Sequence, residues 1–108
     1  MEKIRCRIRE NSWLAKVAAR FMRVQSVAMV LGRTIHLYGA SRERFLSDIP
    51  WMRHEACHVK QYQQFGFLGF LWRYFAEYLR KGYYNNALEV AARASEGDPA
   101  ILDNIEII

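Results

Sequence analysis

A small α+β domain is the fold class this sequence predicts, and three observations predict it. Apolar residues alternate with basic ones near the N-terminus, two β-rich runs meet at Gly32-Arg33, and from residue 48 onward apolar residues recur at helical spacing. The expected architecture is a small antiparallel sheet with one covering helix, followed by three further helices. At 108 residues the chain fits one domain, residues 1–108, with enough length for a core but not for a second lobe. A hydrophobic content of 52% with 14% aromatics excludes a disordered chain. No stretch approaches the ~20 uninterrupted apolar residues of a spanning helix, so no transmembrane segment is expected.

Lys3, Arg5, Arg7 and Arg9 alternate with Ile4, Cys6 and Ile8, the period-2 pattern of a strand with one apolar and one basic face, expected at the outside of the sheet. Asn11 or Ser12 can cap a helix running to about Arg23, with Leu14, Val17, Ala18 and Phe21 as its inward stripe. Ser26 to Leu31 and Thr34 to Tyr38 read as a hairpin, because Gly in the first central position of Gly32-Arg33 suits a type II′ turn. Ser41 to Leu46 turns the chain. Ser47 or Asp48 then caps a helix in which Pro50 is tolerated only in the first turn, and which ends around Gly66. Its 3-4 spacing places Trp51, Glu55, His58, Tyr62 and Phe65 on the inward face. An aromatic helix from Phe67 to about Lys81 is stopped by Gly82, and a last helix runs from Ala87 to about Ser95. Residues 97–108 form an acidic and apolar tail, whose extended reach allows it either to cross the face of the domain or to patch apolar surface.

The chemistry concentrates at His54-Glu55-Ala56-Cys57-His58, which uses two of the three histidines in the chain. Residues four apart lie one turn apart on the same helical face, so both imidazoles can hold one Zn²⁺ with Glu55 beside them as a general base that takes a proton from water. A catalytic zinc needs three protein ligands, and Glu89 on the last helix is the candidate for the third, with Glu96 seven residues on in reserve. Asn86 to Glu89 also has the spacing of a capping box, which competes with ligation for the same side chain. Tyr83 and Tyr84 could donate a phenolic O–H to a developing oxyanion, and His36 could do so from the hairpin; all three also fit ordinary core or strand positions. Gln61, one turn past His58, is a candidate for the layer behind the metal. Cys57 reads as a small buried residue rather than a fourth ligand.

Residues 1–44 carry ten Lys/Arg and three acids, against six and eight in residues 45–108. This asymmetry leaves contact with an acidic membrane surface open, while no nucleic-acid role is expected. Two cysteines make no disulfide framework, and Lys16 and Arg20 interrupt the only apolar run near the N-terminus, so no signal peptide and a cytoplasmic setting are expected. The sequence leaves the oligomeric state open.

In these residues the chain resembles the gluzincin zinc metallopeptidases, and more closely their small single-domain relatives, the minigluzincin-like bacterial domains with an H-E-x-x-H-x-x-Q signature. Here the signature reads His54-Glu55-Ala56-Cys57-His58-Val59-Lys60-Gln61, and the family's downstream E-x-x-A reads Glu89-Val90-Ala91-Ala92. The likeness spans most of residues 26–96 and implies a minimal zincin-like domain acting on peptide or protein substrates, with Thr34–Tyr38 lining the cleft and pairing with extended peptide. One position departs. Where gluzincins often carry an aspartate that orients a metal-bound histidine, this chain has Arg93, and a cation cannot accept an imidazole N–H. The resemblance therefore calls for another acceptor in that place.

Overall fold

The computed structural model describes residues 3–108; Met1 and Glu2, part of the charged N-terminal stretch, lie outside it. Strand β1 (Ile4–Arg9) leads through helix α1 (Trp13–Met22) to a hairpin of β2 (Val27–Leu31) and β3 (Thr34–Tyr38). Four helical segments follow: α2 (Arg42–Ser47), α3 (Ile49–Phe65), α4 (Phe67–Asn85) and α5 (Ala87–Ser95). A 3₁₀ turn (Pro99–Leu102) and a last strand, β4 (Ile105–Ile107), close the chain. The α+β class holds.

The sheet is mixed rather than antiparallel. Its order is β2-β3-β1-β4, and β1 runs parallel to both β3 and β4. Only the hairpin is antiparallel, and Gly32 at its turn has φ 64, the sign that the first position of a II′ turn requires. β1 is thus an interior strand, not an outer one, because the tail pairs along it with Ile4 opposite Ile105 and Cys6 opposite Ile107. The tail belongs to the sheet. It occupies the edge remote from β2, which removes the reading in which it crosses the cleft.

Helix α1 starts where expected: Ser12 Oγ accepts from the Ala15 N–H, and Arg23 closes the helix in the left-handed conformation at φ 57. Its inward face differs. Ala15 and Ala19 are buried, whereas Val17 and Phe21 are 59% and 77% exposed. The alanines allow the backbone to approach the sheet closely over Ser12 and His36, and this outweighs the larger apolar area that the other face would bury.

The core lies between the sheet and α3, with Leu37, Phe45 and Val59 fully buried at its centre. Asp48 caps α3 by accepting from the Trp51 N–H at 3.2 Å, and Pro50 sits in the first turn. Tyr62 O–H donates to the Val30 carbonyl at 3.0 Å, tying α3 to β2, and its ring stacks on Phe70 of α4 at 3.9 Å between centroids. Helix geometry breaks at Gly82 (φ 78, ψ 178), as expected, but one more turn carries the chain to Asn85. No helix of the described residues is long and apolar enough to cross a membrane.

Candidate metal centre

Helix α3 places His54 and His58 one turn apart, with ring centroids separated by 5.2 Å. Helix α5 packs across α3 and brings in Glu89, whose Oε1 lies 3.0 Å from His54 Nε2 and 3.3 Å from His58 Nε2. The three ligand atoms all fall within 4.8 Å of one another. A tetrahedral ion with bonds of about 2.0–2.1 Å spaces its donors roughly 3.3–3.4 Å apart, close to the two separations between Glu89 and the imidazoles.

The layer behind these atoms orients them. Gln61 Nε2 donates to the Leu88 carbonyl at 3.1 Å, which leaves Oε1 to accept from His58 Nδ1 at 2.9 Å. Glu96 Oε2 accepts from His54 Nδ1–H at 2.8 Å. Both rings thus direct Nε2 toward Glu89, each donating an N–H to Oε1 without a metal, and loss of those protons would leave the Nε2 lone pairs that a metal requires. Tyr74 O–H donates to Glu89 Oε2 at 2.6 Å, leaving only Oε1 toward the histidines.

The capping-box alternative for Glu89 is not what forms. Asn86 does cap α5, accepting from the Leu88 N–H at 2.9 Å, but its own N–H bonds to the Tyr83 carbonyl instead of to Glu89. Asn86 is fully buried and also donates to the Tyr74 carbonyl at 3.1 Å, so the cap fixes the start of α5 against α4. That anchors both Glu89 and the tyrosine that holds it.

Electrostatics give the same picture. Burial pulls His54 down, but its bond to Glu89, the nearby Glu55 carboxylate and its bond to Glu96 outweigh this and raise it from 6.5 to about 9. Burial pulls His58 down too, but its bond to Glu89, the Glu55 carboxylate and its bond to Gln61 outweigh this and raise it. Glu89 is pushed up by burial, yet its bonds to His54 and His58 hold it well below the usual carboxylate range. Glu55 is raised to about 7, chiefly by burial, with His58 and His54 working against it. Three carboxylates gathered round two imidazoles thus require positive charge among them, from ring protons or from a cation. With both Nδ1 atoms already committed as donors, two Nε2 atoms and one carboxylate oxygen in contact fit a divalent ion.

The remaining candidates lie elsewhere. His36 is buried against Ser12 Oγ at 2.8 Å on the α1 side of the sheet, with its pKa lowered by burial and Arg9, and it lines neither cavity beside the ligand cluster. Tyr84 is 69% exposed, with the Arg93 guanidinium over its ring at 4.1 Å and also bonded to its carbonyl. Neither donates toward the cluster. Arg93 points outward, and the acceptor it cannot supply comes from Glu96, itself fixed by Arg53 Nη1 donating to its carbonyl at 3.1 Å. Cys57 is buried outside the ligand set, with Sγ 3.6 Å from Gln61 Nε2. Sequence reasoning missed Tyr74. It sits in a run of aromatics that reads as core, and the one usable signal was its place on the helix leading into Asn86.

Two openings meet at the cluster. One, of about 470 Å³, is partly polar and includes Arg44, Asp48, Trp51 and Glu96; the other, of about 650 Å³, is apolar and includes Met29, Leu71, Phe75 and Tyr78. His54, Glu55 and Tyr83 line both. Strand β2 runs beside them as the sheet edge on this side, so β2 rather than the interior β3 is the strand that can accept an extended peptide. No protein-family model matches the chain, and no curated protein and no solved structure is similar enough to match it.

Proposed function

We propose that this chain is a zinc-dependent peptidase of the minigluzincin type. The observation that carries the reading is the convergence of His54 Nε2, His58 Nε2 and Glu89 Oε1 beside Glu55, at the meeting of two cavities along a free strand edge. Zinc held by His54, His58 and Glu89 would supply Lewis acidity, activating water and polarising a carbonyl. Glu55 has the properties of the proton acceptor: it faces both cavities, is absent from the ligand set, and is buried beside the ligands, where desolvation favours its taking a proton. Main-chain pairing with β2 would hold a peptide extended across Glu55, with one side of the scissile bond in the apolar groove and the other near Arg44 and Asp48. Tyr83, lining both cavities, is the phenol best placed to steady a developing oxyanion.

A metal-binding interaction domain with weak or no catalysis is the second reading, favoured by large apolar side chains left exposed on α1 and α4. Elemental analysis of the purified chain together with a peptide-library digest separates the two. One zinc per chain with cleavage supports the peptidase; one zinc with no cleavage supports the interaction domain; no zinc contradicts both.

A further inference from the structure

The apolar groove that opens from the ligand cluster has lips made by two helices whose outer surfaces are also apolar. On α4, Leu68, Trp72, Phe75 and Leu79 follow i, i+4, i+7, i+11 spacing and are 76%, 72%, 57% and 67% exposed. On α1, Trp13, Val17 and Phe21 form a second row, 69%, 59% and 77% exposed. Phe75 and Phe21 belong both to these rows and to the groove lining, so the two rows and the groove mouth are continuous. A row of this size left in water is abnormal for a surface with no partner.

The charges beside the rows identify the partner. At 100° per residue, Lys16 and Arg20 flank the α1 row on the side away from groove-lining Ala18 and Met22, and Arg73 and Arg80 flank the α4 row on the side away from groove-lining Leu71 and Tyr78. α1 contains no acid, and the one acid of α4, Glu77, is taken up by the Ala87 N–H at 2.8 Å and by Lys81 at 3.4 Å. Apolar inside and basic outside on both helices is the arrangement of segments that lie in a membrane interface, with tryptophans at headgroup depth. A second copy of the same face would set these cations against one another. Aliphatic Val17 in the middle of the α1 row, and Leu68 and Leu79 at the ends of the α4 row, offer nucleic acid neither stacking nor hydrogen bonds.

We infer that the α1–α4 face docks on an anionic lipid bilayer, with the mouth of the apolar groove turned toward the membrane. The inference rests on the exposed rows and their charges, not on a bound metal, so it stands or falls separately from the peptidase reading. Cosedimentation and tryptophan emission of the full chain are measured with phosphatidylcholine vesicles, with and without roughly a third phosphatidylserine. Binding with a blue shift is expected for the anionic vesicles at low salt, weakening as salt rises. Trp72→Ser with Leu79→Ser, and separately Lys16→Glu with Arg20→Glu, should each lower partitioning at least about 10-fold while leaving circular dichroism unchanged. All four side chains are exposed, so these variants retain the fold. Absence of anionic-vesicle binding, equal binding to neutral vesicles, folded variants that bind like the parent, or a stable dimer that buries the tryptophans would each overturn it.

Discussion

Replacing Glu96 with alanine removes the acceptor that holds His54 Nδ1 at 2.8 Å and should weaken zinc binding without touching a ligand. A bond behind a metal-ligating histidine is worth about 10–100-fold in affinity. The Glu96 side chain is 41% exposed and that of His54 14%, so water replaces part of the lost acceptor and the expected loss is about 10-fold, roughly 1.4 kcal/mol. Gln61 behaves differently because it is only 7% exposed and also satisfies the Leu88 carbonyl. Gln61→Met should therefore cost nearer 100-fold, roughly 2.7 kcal/mol, since no water reaches either group. Competition with a chromophoric zinc chelator measures both. In a His54→Ala background the Glu96→Ala effect should vanish, because the glutamate acts only through that ring. A folded Glu96→Ala protein with the parent's affinity would refute the claim that Glu96 replaces the acceptor missing at Arg93.

Glu89→Gln keeps the Asn86 cap intact and should lose zinc by a larger factor than Glu96→Ala; the same chelator titration checks it. Zinc binding at pH 7 should release protons, because metal-free His54 titrates near 9, and calorimetry in buffers of different ionisation enthalpy would show zero net release if the ring were already neutral. The raised pKa of folded His54 means that its contribution to metal-free stability is complete below about 6.5 and is lost as pH rises toward 9; urea midpoints across that range should fall. Truncation after Gly97 strips the β1 edge of β4 and should lower the thermal midpoint by about 4–8 °C for each kcal/mol lost. An unchanged midpoint with raised peptide cleavage would restore a tail that covers the cleft.

The site was more legible than the sheet. The spacing of His54 and His58, the Asp48 cap and Pro50 together specify one helix and one face, because helical period and capping are local properties. Glu89 was legible only as one of two readings, since capping and ligation use the same residue at the same spacing, and the choice depends on α5 crossing α3. Strand period identified β1 as a strand but carries no information on its neighbours or direction, so its parallel pairing with β3 and β4 came from the long-range return of the tail. In α1, apolar residues on nearly every face made the larger stripe through Val17 and Phe21 look inward, whereas Ala15 and Ala19 are the residues that face the sheet. Tyr74 was hidden because its role is set by a partner fifteen residues away in sequence.

The central claim is that Glu55 moves the proton while His54, His58 and Glu89 hold the metal. The most direct test compares single-turnover peptide cleavage by the parent and by Glu55→Gln, each carrying one equivalent of zinc. The account expects equal zinc content, with cleavage by the variant reduced at least about 100-fold. Cleavage by zinc-loaded Glu55→Gln at the parent's rate would contradict it.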